Sequence, residues 1–168
     1  MPAIEPDILG WLYRQHAPAL RLYARQWPGS AEDLVQEAFV KLAQQSPPPE
    51  RVLPWLYRVV RNAAVSAARA DRRRRRHETR AAERAAVWFE AAPGAALDGR
   101  AASAALHGLP LEQREAIVAH LWGGLTFTEI AAVAGCSSST AHRWYVAGLN
   151  ALRERLGVTW PNTTPAPR

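Results

Sequence analysis

A single cysteine, Cys136, leaves the 168-residue chain without the means to form an intramolecular disulfide framework, and fits a reducing compartment. Its five histidines are scattered, with none of the spacing that a metal site requires. No uninterrupted apolar run approaches the roughly 18 to 20 residues of a membrane span. A basic-then-apolar export signal is missing from the start of the chain, so the expected location is cytoplasmic, with no membrane partner. Strand-favouring residues are sparse and alanine is abundant, which predicts an all-α fold. Catalysis is not expected: no nucleophile has a base beside it, no ligand cluster could hold a metal, and no glycine loop could cradle a phosphate. On the same grounds no cofactor is expected.

What is present is unevenly distributed. Residues 51 to 76, RVLPWLYRVVRNAAVSAARADRRRRR, hold nine arginines against one acid, Asp71. Residues 1 to 50 carry four basic and six acidic side chains, and residues 77 to 168 carry eight of each. The formal charge of +6 is therefore local, and a concentrated patch attracts a polyanion at short range. Trp55 and Tyr57 stand beside Arg58, Arg61 and Asn62, offering flat faces for bases next to cations for phosphates. The same segment has an apolar series at Leu56, Val59, Val60, Ala63, Ala64 and Ala67, so a half-buried helix with a solvated arginine end accounts for the pattern equally well.

Along the chain, residues 5 to 27 are expected to form one or two helices interrupted near Pro18. Pro28 and Gly29 break the chain, and Ser30 followed by Asp33 starts a helix running to about Gln45, with Leu34, Val35, Ala38, Phe39 and Leu42 as its apolar face. Pro47, Pro48 and Pro49 hold the next loop extended, and Pro54 suits the first turn of the helix that follows. Residues 77 to 105 are expected to be a linker with helical ends, in which Trp88 and Phe89 could dock on a neighbour. A helix from about Leu109 to Trp122 should turn Ile117, Val118 and Leu121 inward, and Gly123-Gly124 should end it. Thr126 to Glu129 is a capping-box sequence for a short helix stopping at Gly135. Ser137 to Thr140 then starts a longer one, which makes a helix-turn-helix candidate. Cys136 sits in that turn, and the Pro- and Thr-rich tail from Gly157, with Trp160, is expected to be disordered.

Two segments, in order, carry a resemblance. DLVQEAFVKL at 33 to 42 resembles the polymerase-binding helix of bacterial sigma factors, and PWLYRVVRN at 54 to 62 is similar to their segment that recognises and opens the minus-10 promoter element. The stretch from LPLEQRE through TFTEIAAVAGCSSSTAHR to ALRERL is similar to sigma region 4, which binds the minus-35 element. The sequence departs from that pattern at Ser66, where many members carry an acid, and at Trp144 and Ala147, where basic residues are usual.

The resemblance implies a sigma factor of the extracytoplasmic-function type of the sigma-70 family. Its fold would be two small helical domains joined by a linker: 1–76 like region 2, 77–105 as linker, 106–156 like region 4, and 157–168 as tail. It implies core RNA polymerase binding through Asp33, Gln36, Glu37 and Phe39. Minus-10 DNA would be captured by Pro49, Arg51, Trp55, Arg58, Arg61 and Asn62, and minus-35 duplex read by Ser138, Ser139, Thr140, His142 and Arg143. Partners would be core polymerase, promoter DNA and an anti-sigma factor, and the free chain would be monomeric. A stand-alone dimeric helix-turn-helix regulator is the alternative, in which the 33 to 42 helix would serve dimerisation.

Overall fold

The structure is a computed structural model and describes residues 4–75 and 99–157. Trp88, Phe89, Arg76 and the tail with Trp160 lie outside the described residues. The described residues form seven helices and no strand: α1 (Pro6–Ala24), α2 (Ala31–Ala43), α3 (Val52–Arg75), α4 (Gly99–His107), α5 (Leu111–Leu121), α6 (Phe127–Ala134) and α7 (Ser138–Leu156).

Helices α1, α2 and α3 pack together around Leu20, Tyr23, Val35, Phe39, Leu42, Leu56, Tyr57 and Val60, all buried. Proline at the first helical position and Asp7 in the first turn start α1. The helix then continues through Pro18, where the sequence predicted an interruption. Pro18 is exposed, so the carbonyl it leaves without a partner can face water, while Ala17, Leu20, Tyr23 and Ala24 bury the opposite face. Ser30 caps α2 as expected, its hydroxyl accepting the Asp33 amide at 3.2 Å. Tyr13 and Arg21 of α1 both reach Glu32 of α2, at 3.0 Å and 2.7 Å, which fixes the pair laterally.

Helices α4 to α7 form the second unit. The helix α4 lies partly within the stretch read as linker and packs on α7, burying Ser103, Ala105 and Leu106. Helix α5 turns Ile117 and Val118 inward, but Leu121 is 52% exposed, against the sequence expectation. The inward side of α5 is buried from Glu115 to Ala119 and His120 packs on Phe127 and Tyr145, so Leu121 falls on the opposite, solvent side of the last turn. Gly148 of α7 sits against Ile117 and Gln113, where an added Cβ would come within 2.7 Å of the Ile117 side chain, so glycine allows α5 and α7 this close approach.

Candidate nucleic-acid and polymerase interface

The helix-turn-helix is α6, a tight turn and α7. Thr126 and Glu129 form a complete capping box: the Thr126 hydroxyl accepts the Glu129 amide at 3.3 Å, and the Glu129 carboxylate accepts the Thr126 amide at 2.8 Å. Gly135 ends α6 in the left-handed conformation at φ 75°, a position that favours glycine. Ser137 then caps α7, accepting the Thr140 amide at 3.1 Å. Behind the turn, His120 stacks on Phe127 at 4.5 Å and meets Tyr145 edge-on at 4.9 Å, and its Nδ1 lies 2.8 Å from the Leu125 carbonyl oxygen. This aromatic cluster fixes the angle between the two helices. No motif in the sequence announced it.

At the open end of α7, Ser138, Ser139, His142 and Arg143 are exposed and Thr140 is half-buried. Arg143 donates to the Thr140 hydroxyl at 3.3 Å, and His142 rests edge-on against Phe127 at 4.9 Å. These five side chains share the first turn and a half of one helix, so they can approach a groove together. Trp144 is half-buried and Ala147 exposed. Cys136 is a free thiol, half-buried in the turn, and burial is the main influence pushing it above the usual thiol range.

On α2, Asp33, Gln36 and Glu37 are exposed along one side, with Glu37 paired to Lys41 one turn on at 2.6 Å. Phe39 is placed differently from the other three. It is 5% exposed, with its ring 5.0 Å from that of Tyr13, so it holds α2 against α1 and supports the exposed side from behind.

The prolines lead into α3 through Pro49, Glu50 and Arg51. Pro49, Arg51, Trp55 and Arg58 form one wall of a cavity of about 370 Å³. The opposite wall is Thr128, Glu129 and Ala132 of α6. Trp55 is half-buried against the core; Arg58 and Asn62 are exposed, as are Arg69 and Arg72 to Arg74 further along the helix. Ala67, placed on the apolar side by spacing, is exposed as well.

Arg51 and Arg61 do not face solvent alone. Arg61 grips Glu115 of α5 with two nitrogens, at 2.6 Å and 3.3 Å, and Tyr23 of α1 donates its hydroxyl to the same carboxylate at 2.9 Å. Glu115 is 2% exposed. Burial and then the neighbouring carboxylate push the Tyr23 hydroxyl well above its usual pKa, so it stays a donor. Partial burial disfavours the Arg61 cation, but its bonds to Glu115 outweigh this and raise its pKa further. Arg51 reaches Glu129 at 2.7 Å, so a single carboxylate caps α6 and bridges to the α3 entry. Burial alone would raise the Glu129 pKa; the Thr126 bonds and Arg51 together hold it below the usual carboxylate value.

Sequence reading assigned Glu115 and Glu129 no role in joining the two units. Glu115 lies between Leu111 and Val118 at four- and three-residue steps, on the apolar stripe of α5, and a carboxylate on such a stripe requires a partner. That signal pointed to a buried ion pair without naming Arg61.

Among the described residues, no helix is long and apolar enough to cross a membrane, and no group of three His, Cys, Asp or Glu could hold a metal ion. The family model for Sigma-70 region 2 matches residues 12–74, and that for Sigma-70, region 4 matches residues 100–152. The chain is 35% identical over 132 residues to the ECF RNA polymerase sigma factor EcfG of Rhodopseudomonas palustris (strain TIE-1), covering 73% of this chain and 71% of that one. It is 32% identical over 154 residues to the RNA polymerase sigma factor CarQ of Myxococcus xanthus, covering 87% of each. It also resembles the sigma factor RpoE in its co-crystal structure with the anti-sigma factor NepR from Bartonella quintana. The TM-score is 0.79 at 29% identity, over 93% of this chain and 100% of that one.

Proposed function

The chain belongs to the sigma-70 family as an RNA polymerase sigma factor of the extracytoplasmic-function type, and from that premise we propose how its named residues divide the work of promoter-specific initiation. The exposed side of α2, with Asp33, Gln36 and Glu37, binds core RNA polymerase, and Phe39 holds that side in place from within. The start of α7 reads minus-35 duplex through Ser138, Ser139, Thr140, His142 and Arg143. The loop before α3 and its first turns capture unpaired minus-10 bases: Trp55 supplies a stacking face, Pro49 stiffens the rim, and Arg51, Arg58, Arg61 and Asn62 meet phosphates and base edges. Residues between the two units span the distance between the DNA elements, and the chain acts as a monomer.

The observation that carries this reading is the open end of α7. Its capped first turns present polar readers outward while an aromatic cluster locks the helix behind them. Unstacking a base step costs a few kcal/mol, more than one tryptophan returns, so melting is shared with the polymerase. The resemblance to RpoE, solved with NepR, supports an anti-sigma factor as a further partner.

The test is transcription of fragmented genomic DNA by core polymerase with and without the purified chain, mapping transcript 5′ ends. New start sites that share an upstream duplex element and a minus-10 element are expected. Start sites unchanged from core polymerase alone would overturn the assignment.

A further inference from the structure

We infer that His120, on α5 and outside the helix-turn-helix, is a positioning residue for minus-35 reading: it supports Phe127, and Phe127 supports the reader His142. The inference deepens the proposed reading of minus-35 duplex and rests on His142 as one of its readers.

Three contacts in series make the link. The first anchors His120. The turn after α5 is tied back to that helix by its backbone, the Gly124 amide donating to the His120 carbonyl at 3.1 Å and the Leu125 amide to the Ala119 carbonyl at 3.0 Å. Leu125 is buried, so its own carbonyl requires a donor, and the His120 Nδ1 lies 2.8 Å from it. A carbonyl oxygen only accepts, so the hydrogen of this bond sits on Nδ1, which fixes both the tautomer and the plane of the ring.

The second contact is the stack. The His120 ring lies nearly parallel to that of Phe127, 4.5 Å away at 21°. Tyr145 of α7 closes the side of the pair, edge-on to His120 at 4.9 Å and tilted to Phe127 at 5.4 Å. Phe127 is only half-buried at the start of α6, so neighbouring rings set its orientation. In the third contact His142 meets Phe127 at 4.9 Å and 85°. His142 is exposed, and an edge-to-face contact with a fixed ring restricts its rotamers before DNA arrives, which lowers the ordering cost of binding.

The neighbouring reader is held differently. Arg143 donates to the Thr140 hydroxyl at 3.3 Å, and that hydroxyl lies 2.9 Å from the hydroxyl of Ser137, the α7 cap. Arg143 is therefore placed within its own helix and cap, whereas His142 is placed from α5 through Phe127. Two adjacent readers depend on different parts of the chain, and His120 should matter chiefly to one of them.

The experiment measures affinity of the full chain for a duplex carrying the upstream element of a start site mapped with this chain. His120→Ala should weaken binding about tenfold and leave the core polymerase titration unchanged. In a His142→Ala background the same substitution should cost no more than about twofold, and in an Arg143→Ala background about tenfold again. A general loss of folding would lower affinity alike in all three. His120→Phe returns a ring to the stack and should recover most of the affinity. His120→Asn keeps a donor for the Leu125 carbonyl without the ring; it should bind as the alanine variant does, and it serves the cycle if that variant folds poorly. Nitrogen NMR of the parent should place the His120 hydrogen on Nδ1. Additive losses at His120 and His142, a phenylalanine variant as weak as alanine, or a hydrogen on Nε2 alone overturns the inference. If His142→Ala by itself leaves affinity unchanged, His142 is no reader and the inference falls with that assignment. Failure of the promoter reading as a whole would show separately, as a parent chain that leaves core polymerase start sites unaltered.

Discussion

Arg143→Ala should lower affinity for minus-35 duplex by about 1 to 3 kcal/mol, roughly 5- to 150-fold, while leaving core polymerase binding intact. Arg143 is exposed, and its recorded bond is a 3.3 Å contact to the neighbouring Thr140 hydroxyl, so the substitution removes little that stabilises α7. The cap that starts the helix belongs to Ser137, whose hydroxyl accepts the Thr140 amide, and the His120–Phe127–Tyr145 cluster locks it from behind. A binding loss can therefore be assigned to the DNA contact. The two kinds of contact differ in their signature. If Arg143 grips a base edge, the loss is confined to the preferred sequence; if it grips a phosphate, affinity falls alike on all sequences and the salt slope drops by about one. Footprinting on specific and scrambled duplex distinguishes them, and unchanged affinity on both removes Arg143 from the site.

Trp55→Ala should spare the closed promoter complex and reduce strand opening by about 1 to 3 kcal/mol per captured base, again roughly 5- to 150-fold. The reporter is permanganate reactivity of unpaired thymines at saturating polymerase. Trp55 has two roles that must be separated, because it is half-buried against the core and also lines the cavity between the α3 entry and α6. Truncation removes packing as well as a stacking face. Trp55→Phe keeps an aromatic face and most of the packing, so it should recover much of the opening. If both variants open promoters as the parent does, the indole is a packing residue and base capture belongs to other side chains.

The parts of this fold legible in the sequence were those set by local rules. Ser30, Thr126 and Ser137 each sit where a backbone amide needs an acceptor, and each takes it. Gly135 stands where the chain turns left-handed. The resemblance to sigma factors, carried by DLVQEAFVKL, PWLYRVVRN and the helix-turn-helix segment, was legible as well. Features decided by distant parts of the chain were not. The helix α1 continues through Pro18 because its other face is packed by Ala17, Leu20, Tyr23 and Ala24. Leu121 is exposed because the last turn of α5 packs through Val118, Ala119 and His120 instead. The pairing of Arg61 with Glu115 joins residues 54 positions apart, a separation no periodicity reports. Of the proposed α7 readers Ser138, Ser139, His142 and Arg143 are exposed and Thr140 is half-buried, whereas the proposed minus-10 group is divided between solvent and the second unit.

The most direct test of the central claim is titration of the labelled chain with core RNA polymerase lacking a sigma subunit, beside the Asp33→Ala variant. Asp33 is exposed on α2, and although its amide takes part in the Ser30 cap, alanine retains that amide, so the variant should fold as the parent does. Saturable binding by a monomeric chain, weakened by more than about 1 kcal/mol in the variant, is the predicted result. An absence of binding, together with a stable dimer in solution, would contradict it and leave the exposed side of α2 as a dimer surface.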